Sequence, residues 1–331
     1  MGGEILMGIE QLQNYDISEV VSLWNEEQAN GAFIHAQLTE EKFKLLFLEG
    51  KKPLIKLNYL YKHENQIIGF ANGCYNEGLE TGYITFVLVK SEFKRQGIGT
   101  LLLKEIETQL KGVNGLKEID LIFLNPINLS WIVPGTTNHT HPNAPGVDVK
   151  SDGYIFFKNN GYRDIVYQNS YYRLLKDFDY TEIIYERLYK LNEKNIHITY
   201  YDPTKHHGWD ELFEDFNNPL WTQTIYENIN REDGGDPILI VEHEGKICGF
   251  TGPLSVEASK RGYFCGIGVH SDYRQHGAGK VLFSALCKGL KDIGADYMTL
   301  FTGENNQARN IYESANFKIV RTWADMRKEL K

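Results

Sequence analysis

The chain has 331 residues, which is enough for one large domain or for two domains of about 150 residues each. Its formal net charge is −9 and it contains no run of five Lys or Arg residues, which argues against a nucleic-acid-binding surface because such a surface needs clustered cations. No apolar run approaches the length of a membrane span, so neither nucleic acid nor a membrane is expected as a partner.

The N-terminus and the cysteines indicate a cytoplasmic protein. The segment Met1-Gly2-Gly3-Glu4 does not begin a basic region followed by an apolar stretch, so no secretory signal is expected. The cysteines form no close-spaced pair and are interpreted as small buried residues in a reducing compartment (Cys74, Cys248, Cys265 and Cys287). Two histidine pairs, at 139/141 and 206/207, lack a Cys or carboxylate partner at ligand spacing, so no metal site is expected.

In the first half of the chain, strand and helix patterns meet at a glycine-rich turn. Glu64-Asn65 predicts the polar turn of a hairpin that opens an apolar strand. A later strand ends at Val89 and leads into the segment Lys94–Gly99, which contains two glycines. Apolar residues at helical spacing then predict a helix (Leu101, Leu102, Ile106 and Leu110).

The stretch Pro126–Lys150 is rich in Pro, Gly, His and Asn and has no secondary-structure period, so it predicts a long loop. Such a loop is either a lid or substrate-recognition element, or a disordered or interdomain-packing segment. Beyond it, a helix is predicted from Tyr180 to about Asn192 and a strand at Ile196–Tyr200. We place a domain boundary near residue 177, which gives domains 1–176 and 177–331.

The second half repeats the first at a fixed offset. The segment Lys94–Gly99 corresponds to Arg274–Gly279, an offset of 277 − 97 = 180, and the preceding hairpin strand repeats with the same value, 249 − 69 = 180. Near the end of each copy, Tyr162 corresponds to Phe317, an offset of 155. The first copy therefore holds 180 − 155 = 25 extra residues, those of the 126–150 loop. The pattern predicts a tandem repeat.

A strand, a glycine-rich turn and a helix that starts at the turn form an anion site. The first N–H groups of a helix lack intrahelical partners, and the helix dipole adds partial positive charge. Glycines let a diphosphate approach the backbone, and Lys94 or Arg274 adds a charge-assisted contact of about 1.5–3 kcal/mol. Gly279-Lys280 is followed by Val281 rather than Ser or Thr, so this turn is not a Walker loop.

The segment Arg274–Gly279 resembles the (Arg/Gln)-x-x-Gly-x-(Gly/Ala) signature of the GNAT N-acetyltransferase superfamily, and Lys94–Gly99 resembles it with Lys in the leading position. Asn305–Phe317 resembles the family's Asn-x-x-Ala-x-x-x-Tyr-x-x-x-Gly-Phe motif and departs from it only at Asn316, which replaces the glycine. Asn is compatible with that position because it tolerates the left-handed backbone that Gly supplies at a helix end. The resemblance implies two domains of α/β (α+β) type, each a mixed, mostly antiparallel splayed sheet flanked by helices.

The same resemblance implies that acetyl-CoA is the cosubstrate. The residues expected to hold it are Val89, Lys94, Arg95, Gln96, Gly97, Ile98, Gly99 and Thr100 in the first half, and Val269, Arg274, Gln275, His276, Gly277, Ala278, Gly279, Lys280 and Asn305 in the second.

Protonation of the leaving thiolate distinguishes the two halves. By the resemblance, Tyr312 is the phenol that serves as general acid, although a core aromatic residue would fit the same position. The corresponding residue of the first half, five before Tyr162, is Phe157, which has no proton to donate. The C-terminal half is therefore expected to carry the chemistry, with Tyr154 as the nearest substitute in the first half.

The general base is left open between Glu304, Glu257 and a water chain, because both carboxylates also fit a solvated surface. The expected function is transfer of an acetyl group from acetyl-CoA to the primary amine of a small molecule or peptide, directly within a ternary complex. The alternatives are a non-catalytic acyl-CoA-binding or regulatory tandem protein, and an enzyme whose N-terminal half is the active one.

Overall fold

The computed structural model describes residues 7–50 and 52–330, which form two compact units. Unit 1 contains the described residues up to Asn169 together with those from Arg321 onward, and unit 2 contains Ser170–Val320. The predicted boundary lies seven residues beyond this division (176 − 169 = 7). The residues from Arg321 onward, which the repeat assigned to the second domain, belong to unit 1.

The strands are β1 (Met7–Gln11), β2 (Leu54–His63), β3 (Gln66–Asn76), β4 (Thr81–Val89), β5 (Glu118–Leu121), β6 (Trp131–Ile132), β7 (Thr140–His141), β8 (Val147–Asp148), β9 (Arg163–Leu174), β10 (Ile196–Tyr200), β11 (Leu239–His243), β12 (Lys246–Thr251), β13 (Ile267–Val269), β14 (Tyr297–Gly303) and β15 (Lys318–Glu329). The α-helices are α1 (Ile17–Ala29), α2 (Glu40–Phe43), α3 (Ile98–Lys111), α4 (Asp152–Asn159), α5 (Glu182–Asn192), α6 (Trp209–Phe216), α7 (Pro219–Ile229), α8 (Ala278–Asp292) and α9 (Arg309–Ser314). A π-helical turn spans Lys44–Leu48, and 3₁₀ turns span Asn14–Asp16, Ser91–Phe93 and Ser271–His276.

Unit 1 is built on a mixed sheet in which the strands follow the order β1-β2-β3-β4-β5-β15, with β8 also pairing with β15. All of these neighbours are antiparallel except β4 and β5, which are parallel. The hairpin predicted at Glu64-Asn65 joins β2 to β3, and both residues have positive φ, 51° and 63°. That conformation matches the twist of a two-residue hairpin turn.

Helices cover both faces of this sheet. The apolar stripe predicted for α3 packs on one face, and its Leu102, Ile106 and Leu110 are fully buried. Helices α1 and α2 pack on the other face, where Trp24 and Phe43 are also fully buried. Each such side chain contributes about 1.5–3 kcal/mol by leaving water.

Unit 2 repeats this architecture on an antiparallel sheet ordered β10-β11-β12-β13. Helices α5 and α8 lie on one face, with Leu282 and Leu286 of α8 fully buried. Helices α6 and α7 lie on the other face, where Phe213 and Ile225 pack against Phe250 of β12. The predicted fold, two mostly antiparallel sheets flanked by helices, is confirmed.

The 126–150 segment of unit 1 differs from the predicted loop because it contains the short strands β6, β7 and β8. Its Trp131 and Val133 are fully buried, and Ile127 and Leu129 belong to the core of the unit. This packing contradicts the disordered alternative. The segment is called the insert below.

Among the described residues, no helix combines the length and the apolarity that crossing a membrane requires. Residues 1–6, on which the expectation of no secretory signal depends, lie outside the described part of the chain.

Candidate active site

The parallel strands β4 and β5 separate in the middle of unit 1. They pair only where Thr81–Tyr83 lies opposite Glu118–Asp120. β5 ends at Leu121, whereas β4 continues to Val89. The sheet is therefore splayed along the second half of β4, as the family resemblance implies.

Asn125 fixes the point at which the two strands part. Its amide nitrogen donates to the carbonyl of Ile84, the first β4 residue beyond the pairing, at 2.9 Å. Its Oδ1 accepts the N–H of Ile127 at 2.9 Å and the hydroxyl of Thr85 at 3.3 Å. The side chain thus replaces the hydrogen bonds that β5 no longer provides, so that the polar groups at the opening are satisfied.

The splay opens into a cavity of about 400 Å³ that lies wholly in unit 1. Its walls come from β4, the end of β5, the glycine-rich turn, α4, the insert and the segment after α1. The lining residues are Ile84, Thr85, Phe86, Val87, Leu88 and Val89; Leu121, Ile122 and Asn125; Phe93, Lys94, Arg95, Gly97, Gly99 and Thr100; Ser151, Asp152, Gly153, Phe156, Phe157, Asn159 and Asn160; Ile127, Leu129, Ala144, Gly146, Val147 and Asp148; and Ala32, Phe33, Ile34 and His35.

The glycine-rich turn forms one end of the cavity and is open toward it. Gly97 has φ of +86° and is the N-cap of α3, and no atom lies within 4 Å of the position that a Cβ would take there. A bulky anion therefore has access to the first turn of α3. Most predicted coenzyme residues of this half line the cavity, but Gln96 is exposed and Ile98 is buried in the core.

A buried carboxylate holds the start of this turn. Glu27 of α1, only 1% exposed, accepts the backbone N–H of Ser91 at 3.0 Å and also accepts the Ser91 hydroxyl. Unit 2 repeats the arrangement, because Asp215 of α6 accepts the N–H of Ser271 at 3.0 Å and its hydroxyl at 2.7 Å. We call each of these pairs a latch.

The insert builds the far wall of the cavity. Trp131 forms an isolated bridge with His35, Ala36 N–H donates to Ser130 O at 2.8 Å, and Ile132 N–H donates to Ile34 O at 2.8 Å. These bonds attach the segment after α1 to the insert. Because unit 2 lacks an equivalent of the insert, this wall is specific to unit 1.

His35 brings a neutral imidazole to that wall. Its ring lies edge-on to Phe86, with the ring centroids 5.0 Å apart, and its Nδ1 is buried without a hydrogen-bond partner among the described residues. Burial lowers the pKa of His35 to about 4. The imidazole is therefore uncharged at neutral pH and a weak base, but it can accept a hydrogen bond.

Asp148 adds a carboxylate to the same wall. It is 9% exposed, its Oδ1 accepts Lys150 N–H at 2.9 Å, and Arg321 Nε lies 3.7 Å from its Oδ2. Burial raises the pKa of Asp148, which makes the carboxylate more basic than a solvated one. Asp148 is the cross-strand partner of Trp323, whose ring centroid lies 6.3 Å from that of His35.

The corresponding turn of unit 2 is covered rather than open. A Cβ at Gly277, where φ is +73°, would lie 2.7 Å from Nη1 of Arg187 on α5. Arg274 Nε donates to the Val269 carbonyl at 3.0 Å, and Lys194 Nζ lies 3.2 Å from His276 Nδ1. Cationic side chains therefore surround this turn. One of them, Arg274, donates to the carbonyl of Val269, a residue that was expected to contact the coenzyme. Of the other predicted coenzyme residues, Asn305 and Gln275 are exposed, and Ala278 is buried.

Of the three residues predicted to do chemistry in unit 2, Tyr312 and Glu257 lie in different environments. Tyr312 is 5% exposed and lies among Phe283, Phe264 and Tyr171, with ring centroids 5.1, 6.1 and 5.8 Å away, and burial raises its pKa. Glu257 is committed to an ion pair, since its Oε2 accepts from Nε of the buried Arg261 at 2.9 Å. Glu304 is half-buried just after β14.

In unit 1, the Tyr154 hydroxyl donates to Asp164 Oδ2 at 2.9 Å and lies 3.2 Å from the Tyr167 hydroxyl. Tyr154 is absent from the described cavity lining, whereas Phe157 is part of it. In this structure the Tyr154 hydroxyl is bonded to Asp164, and its role as a substitute acid stays a prediction.

Sequence reasoning missed His35, Asp148 and Asn125. No motif marks them, and they line one cavity although they come from three separate segments of the chain. One weak indication of a functional role for Asp148 was present in the sequence, because this residue lies near the end of a long insertion that is present in only one copy of the repeat. No group of three or more His, Cys, Asp or Glu suited to a metal ion occurs in the described ranges 7–50 and 52–330.

Comparison with known proteins agrees with this geometry. The family model for the acetyltransferase (GNAT) family matches residues 19–130 and 199–317, one match in each half. The chain belongs to the GNAT family. It is a tandem member, as the repeat predicted, and both matches contain a glycine-rich turn. A sequence search of curated proteins finds no match.

Solved structures share the fold at low sequence identity. A GCN5-related glucosamine N-acetyltransferase region of a fungal multi-domain GH3 β-N-acetylglucosaminidase aligns with a TM-score of 0.69 and 16% identity, covering 98% of this GNAT chain but only 38% of the fungal one. A tandem GNAT protein from the clavulanic acid biosynthesis pathway aligns at 0.59 and 13% identity, covering 98% and 99% of the two chains. A GCN5-related N-acetyltransferase from Sphaerobacter thermophilus aligns at 0.60 and 13% identity, covering 98% and 96%.

Proposed function

We propose that this GNAT protein transfers an acetyl group from acetyl-CoA to the primary amine of a small molecule or peptide, by direct transfer in a ternary complex, and that unit 1 carries out the transfer. The observation that supports this assignment is the continuous cavity. It joins the open turn at Gly97 to the gap beside β4 and to the wall that carries His35 and Asp148.

The coenzyme fits the end of the cavity formed by the turn. Its diphosphate would accept hydrogen bonds from the first-turn amides of α3, with Lys94 as the neighbouring cation. The acyl-pantetheine arm would lie along β4 beyond Tyr83, where β5 no longer pairs. A backbone N–H of β4 is then a suitable donor to the thioester carbonyl.

The amine must first lose a proton, which costs roughly 4.6 kcal/mol at pH 7 for a lysine-like ammonium. Asp148 is the proposed proton acceptor because burial makes its carboxylate more basic, and His35, a neutral imidazole that lines the same cavity, is a proposed hydrogen-bond partner of the amine. The amine nitrogen then attacks the thioester carbon, the carbon–sulfur bond breaks, and the thiolate takes up a proton released by the attacking nitrogen. The products are an amide and free coenzyme A.

The second candidate function places acetyl transfer or acyl-CoA binding in unit 2, and the presence of Tyr312 in the family motif favours it. If unit 2 performs the transfer, Tyr312 protonates the thiolate, and Glu304 and Glu257 are the two carboxylate candidates for the base. If unit 2 only binds acyl-CoA, Arg187 and Lys194 supply the additional cations around its turn.

Matched substitutions in the two turns test the assignment. Gly99→Asp and Gly279→Asp both add a carboxylate to the first turn of a helix, where it is favourable to the helix but repels a diphosphate. The new Cβ atoms face similar space, 3.4 Å from Phe156 and 3.3 Å from Ile311. We expect Gly99→Asp to lower kcat/KM for acetyl-CoA at least a hundredfold and Gly279→Asp to change it less than threefold.

The reverse pattern would move the chemistry to unit 2, and Tyr312→Phe should then also lower turnover. A third outcome would favour the regulatory alternative. In that case acetyl-CoA protects the wild-type protein against thermal unfolding, but no amine in a broad panel releases coenzyme A.

A further inference from the structure

One part of the cavity lining is a cluster of aromatic side chains. Phe33 and Phe86 line the cavity with their ring centroids 5.0 Å apart at 76°, and the fully buried Trp24 packs behind both at 5.0 and 4.4 Å. Ile127 and Leu129 of the insert extend the same apolar surface. We call these five residues the aromatic wall. Such a surface favours a flat apolar group over a hydroxylated one, because hydroxyls placed against it would lose hydrogen bonds to water.

The cavity that this wall lines contains one buried carboxylate. Within the described lining, the charged residues are Lys94, Arg95, Asp148 and Asp152. The two cations belong to the turn, and Asp152 is a solvated group whose side chain is 75% exposed and lies 4.0 Å from Lys94. Among these charged lining residues, Asp148 alone is buried.

The position of Asp148 follows from a chain of contacts. Asp148 is the cross-strand partner of Trp323, the Trp323 ring contacts His35, and the His35 ring lies edge-on to Phe86. Arg321, which approaches Asp148 to 3.7 Å, is not among the lining residues, so the carboxylate and not the guanidinium borders the cavity. An acceptor that carries its own carboxylate would bring a second negative charge next to Asp148, whose charge Arg321 offsets only in part at 3.7 Å.

We propose that the acceptor is a primary amine attached to a flat apolar or aromatic group and bearing no acidic group. Its apolar body packs against Phe33 and Phe86, and its ammonium is received by Asp148. This inference rests on the proposed function, since it concerns the second substrate of the same cavity. It excludes amino acids, acidic peptides and polyhydroxylated amines as good acceptors.

The wild-type protein can be tested with amines that differ in one feature. 2-Phenylethylamine and phenylalanine share the ring and the amine and differ by one carboxylate, whereas glucosamine and spermidine lack the ring. With acetyl-CoA as donor, we expect kcat/KM for 2-phenylethylamine to exceed that for each of the other three at least fiftyfold, measured as release of the coenzyme thiol. Equal or better use of phenylalanine, glucosamine or spermidine would overturn the proposal.

Two variants connect the preference to the residues. Phe33→Leu keeps an apolar side chain, and we expect it to raise KM for 2-phenylethylamine about tenfold while KM for acetyl-CoA stays within twofold. Asp148→Asn keeps the acceptor that bonds Lys150 N–H. We expect it to weaken equilibrium binding of 2-phenylethylamine about tenfold and to leave binding of phenylalanine unchanged or improved, measured by calorimetry with thermal unfolding as a check on folding.

The outcomes separate this inference from the proposed function. If no amine is acetylated, the proposed function fails, but the calorimetric comparison of the two amines still decides whether the aromatic wall selects the acceptor described. If amines are acetylated and Asp148→Asn does not reduce discrimination against phenylalanine, the inference fails alone. If longer acyl-CoA donors raise kcat/KM with every amine, the aromatic wall holds the acyl chain and the inference is wrong.

Discussion

Asp325 on β15 is a buried carboxyl with incomplete hydrogen bonding. It is 4% exposed, its Oδ2 accepts Gln168 Nε2 at 3.1 Å, and its Oδ1 has no partner among the described residues. Burial raises its pKa to about 6, from an ordinary value of 3.8. The folded protein therefore holds a proton on Asp325 at pH values where the unfolded chain has already released it.

The sign of the pH effect follows from this difference. Because the folded state binds more protons between about pH 4 and about pH 6, the stability contributed by protonated Asp325 is present below that window and is lost as the pH rises through it. We expect Asp325→Asn to raise the free energy of unfolding at pH 7.5 by about 1–2 kcal/mol, after a discount for solvent screening, and to have little effect near pH 4.

Urea denaturation at both pH values measures this difference. Ser22→Ala, at an exposed position of α1, is the control and should shift stability equally at the two pH values because neither side chain changes charge between them. A loss of stability on Asp325→Asn at pH 7.5 would mean that the carboxylate has a counter-charge or water network that offsets its burial.

At the residue scale, sequence predicted backbone roles better than side-chain partnerships. Gly97 and Gly277 were predicted to shape the two turns, and both have positive φ at the N-cap of a helix. The environment of Tyr312 was not predictable, because the motif fixes its spacing along the chain but not which rings enclose it. His35 and Asp148 lie 113 residues apart (148 − 35 = 113), and only tertiary pairing brings them to one wall.

The two latches connect a helix on one face of the sheet to the turn that begins the helix on the other face. In each unit a carboxylate accepts both the N–H and the hydroxyl of a serine. Glu27 is 1% exposed, whereas the Asp215 side chain is 17% exposed. The unit 1 latch thus has less access to water, and its loss leaves the Ser91 N–H without a partner.

We expect Glu27→Ala to lower the free energy of unfolding by about 2–4 kcal/mol and Asp215→Ala by about 1–2 kcal/mol, because water can replace the more exposed carboxylate. Under the proposed function, Glu27→Ala also weakens acetyl-CoA binding, since the turn in unit 1 loses its anchor. Glu26→Ala, one residue earlier on the exposed side of α1, should stay within about 0.5 kcal/mol of wild type.

Chemical denaturation and calorimetric titration with acetyl-CoA check both parts. Equal destabilisation by Glu27→Ala and Asp215→Ala would show that burial does not control the strength of the latch. An unchanged affinity for acetyl-CoA in Glu27→Ala would show that the turn in unit 1 is held by its own backbone.

At the element scale, apolar residues at helical spacing were sufficient to predict α3 and α5, and the polar turn at Glu64-Asn65 was sufficient to predict the hairpin of β2 and β3. The insert was predicted as a loop because its three strands are only two residues long, too short to leave a periodic pattern. The insert adopts an ordered conformation because it pairs with the segment after α1 and with β15. Such long-range pairing cannot be predicted from the local sequence.

At the scale of the whole molecule, the last strand of the chain completes the first unit. In β15, Trp323, Ala324 and Met326 are fully buried in unit 1. Arg327 donates from Nε and Nη2 to the two carboxylate oxygens of Asp120, both at 2.7 Å, and Asp120 is 1% exposed. The repeat did not predict this assignment, because the pattern of a buried strand does not specify which sheet it joins.

Removal of this strand should therefore unfold unit 1. A chain that ends at Val320 leaves Asp120 buried without its cation, which costs about 3–5 kcal/mol. It also exposes apolar surface that Trp323 and Met326 cover, at about 1.5–3 kcal/mol for each side chain. Together these losses are comparable to the whole stability of a typical domain.

A rejoined fragment provides the decisive comparison. The hydroxyl of Thr322 donates to Asn169 Oδ1 at 2.8 Å, so a linker of about six Gly and Ser residues can connect residue 169 to residue 321. We expect residues 1–169 joined in this way to 321–331 to unfold cooperatively, as followed by the fluorescence of the buried Trp24, Trp131 and Trp323. Residues 1–176 alone, the domain predicted from the repeat, should show no such transition. A cooperative transition in 1–176 would mean that β15 is dispensable, and that the ion pair between Arg327 and Asp120 contributes far less than its burial implies.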